Sequence, residues 1–446
     1  MLRAAQPLQN VRQASSAVKR TGKNVVLVEA VRTPFLLAGT AYKDMMAVDL
    51  QKEALRALMK RTQLSHDKVN HIICGTVIQE CRTSNIAREA ALLAGFPDKV
   101  PCHTVTLACI SSNVAVADAI GMIKSDYADA VIAGGVEFMS DVPIRYNRKA
   151  RKAMLGLQKA KDAGSKLKIA GEIAKNLLSP ELPAIAEFSS GETMGHSADR
   201  LAAAFKVSRK EQDEFAIRSH TKAQEAAKAG KLKDIEPVFI EGKKAQTVKE
   251  DNGIRVGTIE KLSSLKPAFI KPHGTITAAN ASFLTDGASA CLVASEEWAL
   301  ANGYKPLAYL REYQFVAQDP KDQLLLSPAY AIPRVLEKAG LSVKDISVFE
   351  IHEAFAGQVL ANLNAMDSEE FCQKWMKRSK VGRLDMNKIN AWGGSLSIGH
   401  PFGATGVRLL AHTAHRLKEE GGQYGVIAAC AAGGHGVGML VEAYGK

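Results

Sequence analysis

The 446-residue chain has no acidic residue before Glu29 and no C-x-x-C pair among its seven cysteines. It also has no uninterrupted apolar run of about 18 residues, which argues against a helix that crosses a membrane. An odd cysteine count without metal-ligand spacing argues against a disulfide framework or a zinc site, and fits reduced thiols in an intracellular compartment. What remains is an ordinary globular composition, 46% hydrophobic and 23% charged, in a chain too long for one core. Two or three domains are expected.

The formal charge of +12 would suggest a nucleic-acid partner if it were spread evenly. It is concentrated in two stretches instead. Arg3, Arg12, Lys19, Arg20 and Lys23 precede the first acid, and ten basic residues between Arg145 and Lys175 face only Asp162 and Glu172. The rest of the chain is close to neutral, so no nucleic acid is expected. Residues 1–22, Arg-rich, acid-free and containing Gln, Ser and Ala, have the composition of a mitochondrial presequence and are set aside from the fold. In the second stretch Leu167, Ala170, Ile173, Ala174 and Leu177 recur at helical spacing, flanked by Lys166, Lys168 and Lys175. A basic amphipathic helix is either a membrane-surface element or an ordinary helix with a solvated face.

The body opens with a short apolar strand over Val25–Val28, a turn at Pro34, a helix over Met46–Met59 and a strand over His71–Cys74 ended by Gly75. Such alternation predicts a parallel sheet with helices on its faces. A coarse repeat follows. Cys109 leads into a helix over Ser112–Lys124, a strand over Ala130–Ala133 and the pair Gly134-Gly135. His400 leads into a helix over Ala404–Leu417, a strand over Gly425–Ala429 and the pair Gly433-Gly434. Duplication of such a unit would bring two helix N-termini to a shared centre.

Three strings carry the chemistry: TLACISSNVAVADAI from Thr106, GGSLSIGHPFGATG from Gly393 and CAAGGHG from Cys430. Cys109 precedes Ser111, Ser112 and Asn113, good N-cap types, so its thiol would sit at the positive end of a helix, which favours the thiolate. His400 stands ahead of another helix, where a histidine tends to stay neutral, as a base must. Taken singly, Cys109 and Cys430 read as core cysteines and His400 as a capping residue. Taken together, the strings resemble the thiolase family, over about Lys23 to Lys446.

That resemblance implies an α/β fold of αβαβα layers made of two pseudo-symmetric halves, residues 23–140 with 276–304 and residues 305–446. A loop domain, 141–275, would cover the site and bind much of the CoA. It implies cleavage of 3-ketoacyl-CoA by CoA to acetyl-CoA and a shortened acyl-CoA, with CoA as a substrate and no metal or redox cofactor. Cys109 would be the nucleophile that holds the acyl group, and His400 its base and an oxyanion donor. Cys430 would be the acid/base for the enolate and for CoA. The backbone N–H groups of Cys109 and Ala432 would form an oxyanion hole, where the family usually has glycine instead of alanine. His352, in FEIHEAF, stands where many thiolases have asparagine, and would organise the other hole. Ser282 matches a position that contacts pantetheine, although a turn role suits a serine equally. Glu353 is expected to order a loop and not to move protons.

The basic segment is longer than that of soluble thiolases. It is similar to that of members held on the matrix side of the mitochondrial inner membrane. Those imply a homodimer within a hetero-oligomer with a hydratase/3-hydroxyacyl-CoA dehydrogenase α subunit. Two rival readings are a condensing enzyme of the ketoacyl synthase type, which would not need Cys430, and a scaffold subunit without activity.

Overall fold

Strand β1 (Val25–Arg32) reads VVLVEAVR, nearly apolar throughout rather than alternating, because it is buried on both faces. Val26, Val28 and Val31 face one core, while Val25, Leu27 and Ala30 face another. The computed structural model describes residues 22–242 and 245–445, so the presequence read at 1–22 lies, except for Gly22, outside the described residues.

Strand β1 lies inside a ten-stranded sheet. Its other long strands are β2 (His71–Gly75), β3 (Cys102–Val105), β4 (Ala130–Glu137), β5 (Thr285–Ser295), β6 (Ala308–Ala317), β7 (Ile346–Ile351), β8 (Tyr424–Ala431) and β9 (His435–Ala443). The order across the sheet is β7-β8-β9-β6-β1-β5-β4-β2-β3. Read outward from the β1/β6 seam, both sides repeat one pattern. Strand β1 is followed by β5, β4 and β2, and β6 by β9, β8 and β7. In each, two antiparallel pairings precede one parallel pairing. The seam is short, with Val26 opposite Tyr309 and Leu27 opposite Ala308.

The sheet is therefore mixed, where alternation of strands and helices had suggested a parallel one. The return strands β5 and β9 make the difference. Strand β9 follows β8 after only Ala432–Gly434, and so short a connection can only join antiparallel neighbours.

Helices complete five layers. Leu50, Leu55 and Leu58 of the Ala47–Thr62 helix pack on one outer face, with Ile132 and Leu292 beneath them. Ile332 and Val359, from the helices Ser327–Ala339 and Ala356–Asp367, pack on the other outer face over Val426 and Leu440. Between the two sides lie the helices Ser111–Lys124 and Thr405–Glu420, whose Val116, Ile120, Leu410 and Leu417 share one central core. The two repeated units thus meet back to back in the middle of the molecule.

Gly134 and Gly135 do not follow a strand as expected; they lie inside β4, which runs on to Glu137. A Cβ on Gly135 would collide with the carbonyls of Gly403 and Gly75. The absent side chain lets the His400 loop rest directly on the sheet.

Residues 141–275 contain helices at Arg148–Leu157, Ala163–Asn176, Met194–Ala204 and Arg209–Lys228, and a small ribbon of Val238–Ile240 with Gln246–Val248. The first two helices pack as a hairpin, tied by Asn147, which donates to the Asn176 carbonyl at 2.8 Å. No residue of Ala163–Asn176 is buried.

Candidate active site

The helices Ser111–Lys124 and Thr405–Glu420 approach each other at their N-termini, where a Cβ on Gly406 would strike the Asn113 side chain. Cys109 stands two residues before the first of them, on a turn in which Ala108 takes a left-handed φ of 45°. Such a conformation costs energy in a residue with a Cβ, so something must hold it. Ser111 does so: its Oγ accepts from Leu107 N at 2.9 Å and donates to the Ala108 carbonyl at 2.7 Å. The expected capping role of the serines is replaced by this brace, since the N-cap is Ile110, without a side-chain bond.

The fold brings Cys109, His352 and His400 together, with the sulfur and one nitrogen of each ring within 4.8 Å of one another. The backbone N–H groups of Ala432 and of Cys109 itself lie close enough to the sulfur to favour its anion. They are the pair anticipated for an oxyanion hole, and donors of that kind suit an anion rather than a metal cation. Ala432 fits because the left-handed residues of its turn are its neighbours Gly433 and Gly434, with φ of 81° and 74°. A methyl group at position 432 meets no backbone penalty. Cys430, 1% exposed in β8, lies near enough to Cys109 for the charge of Cys109 to raise its thiol.

Hydrogen bonds assign the protons. His400 Nδ1 lies 2.6 Å from Thr405 Oγ1, and that hydroxyl donates to the Pro401 carbonyl at 3.0 Å. The threonine must then accept from His400, so Nδ1 carries the proton and Nε2 presents a lone pair. Nε2 is buried without a partner among the described residues, as is His352 Nε2. Burial drives both imidazoles toward the neutral form. His352 falls to about 3, with Arg408 adding to the effect, and His400 falls well below its usual range, aided by His352 and Arg408.

Burial also pushes the Cys109 thiol up to about 12, with the Glu137 charge adding to it and the Ala432 N–H opposing it. The thiolate expected from the helix terminus is therefore not the resting state. Desolvation outweighs the dipole, and the sulfur needs the neighbouring base.

Several residues of the site carried no signal in the sequence. Glu137, whose carboxyl is raised to about 7 by burial, accepts from Val77, Ile78 and Gly403 N–H at 3.2, 2.9 and 3.0 Å, tying the His400 loop to the sheet. Glu187, from the turn that follows the basic hairpin, accepts from Gly433 N–H at 2.9 Å, one residue from the oxyanion donor. Glu353 orders loops, as expected, binding Ser219 Oγ, Asn390 Nδ2 and Leu396 N at 2.7, 2.7 and 3.2 Å. Ser282 is half-buried and starts no helix; its N–H donates to the Ala354 carbonyl at 2.9 Å, beside the His352 segment.

A thiol beside a neutral imidazole, with converging N–H donors and a second buried thiol, is an arrangement suited to acyl transfer. The chain belongs to the thiolase family: residues 25–297 match the thiolase N-terminal domain and residues 304–443 the thiolase C-terminal domain. It is 74% identical over 448 residues to a probable 3-ketoacyl-CoA thiolase of Caenorhabditis elegans, covering 100% of both chains. It is 59% identical to the human mitochondrial trifunctional enzyme subunit beta over 446 residues, 100% of this chain and 94% of that one. The crystal structure of human mitochondrial 3-ketoacyl-CoA thiolase superposes with a TM-score of 0.79 at 31% identity, covering 95% of this chain and 99% of the other.

Proposed function

We propose that the chain is a 3-ketoacyl-CoA thiolase of mitochondrial fatty acid β-oxidation. The observation that carries this reading is the meeting of the Cys109 sulfur with two neutral imidazoles, two backbone donors and the Cys430 thiol. His400 Nε2 takes the Cys109 proton as sulfur attacks the 3-keto carbonyl, and then donates with His352 to the oxyanion. The C2–C3 bond breaks, Cys430 protonates the acetyl-CoA enolate at C2, and the shortened acyl group stays on Cys109. The Cys430 thiolate next takes the proton of an incoming CoA thiol. That sulfur attacks the thioester, with the oxyanion held by the N–H groups of Cys109 and Ala432. Cys109 leaves and recovers its proton from His400. No metal or redox cofactor enters, and Ser282 contacts the pantetheine arm. The closeness of Cys430 to Cys109 favours this over a condensing enzyme, in which a second thiol would have no task.

The same reading places the chain in the mitochondrion, on the matrix side of the inner membrane, as a homodimer within a hetero-oligomer with a hydratase/3-hydroxyacyl-CoA dehydrogenase α subunit. Its support is the similarity to the trifunctional enzyme subunit beta, the composition of residues 1–22 and the basic hairpin. Around that hairpin Leu155, Leu167, Leu178, Ile185 and Phe188 stand 70%, 76%, 91%, 80% and 105% exposed. Apolar side chains exposed among lysines suit a lipid surface, and among the described residues no helix is long and apolar enough to cross a membrane.

Steady-state thiolysis of 3-ketoacyl-CoAs of increasing chain length, with mass spectrometry for an acyl adduct on Cys109, tests the reaction. Turnover with the adduct on Cys109 is expected. A purified, folded protein with neither turnover nor adduct would leave the scaffold reading in its place.

A further inference from the structure

His352 can donate to an oxyanion only if its proton sits on Nε2, and a free imidazole does not guarantee that. Ser395 settles it. Its Oγ lies 3.0 Å from His352 Nδ1 and accepts from Arg408 Nη2 at 2.8 Å. A guanidinium only donates, so Arg408 occupies one lone pair of the serine oxygen, and among the described residues His352 Nδ1 is the one group left to accept the serine O–H, which is therefore directed to it. Ser395, Arg408 and His352 are all fully buried. Arg408 is held in turn by Glu350, whose Oε2 lies 3.6 Å from its Nη1 and whose Oε1 accepts from Arg416 Nη1 at 2.8 Å. At His400 the polarity is opposite, because Thr405 donates to Pro401 and so must accept from the ring. The two rings, with centroids 4.0 Å apart, thus differ in whether the unpartnered Nε2 carries a proton.

We propose that Ser395, oriented by Arg408, is a positioning residue that fixes His352 as its Nε2–H tautomer, making it an oxyanion donor and not a second base. The catalytic consequence rests on the thiolase reading; the tautomer does not.

Two measurements separate these. In protein labelled with 15N-histidine, two-bond 1H–15N correlations show which ring nitrogen of His352 carries the proton, with no substrate present. Nε2–H is expected in the parent and a mixture in Ser395→Ala. Nδ1–H in the parent would overturn the proposal whatever the enzyme's activity. In thiolysis, Ser395→Ala should lower kcat/KM about ten-fold, the size of one lost net hydrogen bond. The same substitution made in His352→Asn, whose amide needs no tautomer, should change kcat/KM less than about two-fold. Equal losses in the two backgrounds, or none in the parent background, would also overturn it, since Ser395 would not then act through His352. Parent protein with the expected tautomer but no thiolysis would instead count against the proposed reaction.

Discussion

The rings of His352 and His400 lie tilted at 45° with their centroids 4.0 Å apart, and among the described residues no carboxylate hydrogen-bonds either one. Two imidazolium ions cannot coexist at that separation in a buried site, and Arg408 adds a further positive charge beside them. When His400 accepts the proton of Cys109, His352 must stay neutral. The division of labour between base and donor is enforced by electrostatics as well as by hydrogen bonding.

Cys109→Ala should abolish acyl transfer and the acyl adduct while leaving the fold intact, because only the sulfur is removed. Cys430→Ser should still acylate Cys109 slowly but lose at least about 100-fold in turnover, the typical contribution of a positioned acid/base. Mass spectrometry of the two variants after mixing with 3-ketoacyl-CoA distinguishes the roles. An adduct on Cys430 in the parent, or near-parental turnover in Cys430→Ser, would reverse the assignment.

Alkylation of Cys109 by iodoacetamide should keep rising, about ten-fold per pH unit, through pH 10, as a thiol pushed up to about 12 requires. Glu137→Gln removes the negative charge that adds to that rise and should speed alkylation at pH 8. A plateau below pH 9, read on the Cys109 peptide, would mean a resting thiolate.

His352→Asn should remain active and become less acid-sensitive in stability. The parent's His352 is lowered to about 3 by burial, so between pH 7 and 5 the unfolded chain takes up a proton that the folded chain refuses. Stability therefore falls with pH below about 6.5, by about 2 kcal/mol at pH 5 for this one ring. Urea unfolding at the two pH values should show that much less loss in His352→Asn. An unchanged difference would mean that His352 is charged in the folded protein.

Neutralising Lys166, Lys168 and Lys175, all exposed, should weaken binding to anionic vesicles by roughly two orders of magnitude and leave short-chain thiolysis unaltered. Co-sedimentation with cardiolipin-containing vesicles measures it, and salt should weaken the parent in the same way. Unchanged binding would remove this hairpin as the membrane contact.

The amino-acid sequence alone determined the elements and the reactive groups. Apolar runs marked the strands, helical periodicity marked the helices behind Cys109 and His400, and glycines marked places where backbones must come close. Those are local properties, set by spacing and side-chain type. The tertiary structure decided what each group does. Antiparallel return strands, set by the short β8–β9 connection, made the sheet mixed. Burial reversed the expected ionisation of Cys109, because desolvation depends on everything packed around the thiol and not on the helix that follows it. Ser395 and Arg408 reach His352 from 43 and 56 positions away along the chain, and Glu187 reaches Gly433 across 246. No periodicity records such contacts, since a hydrogen bond between distant segments exists only once the chain has closed around it.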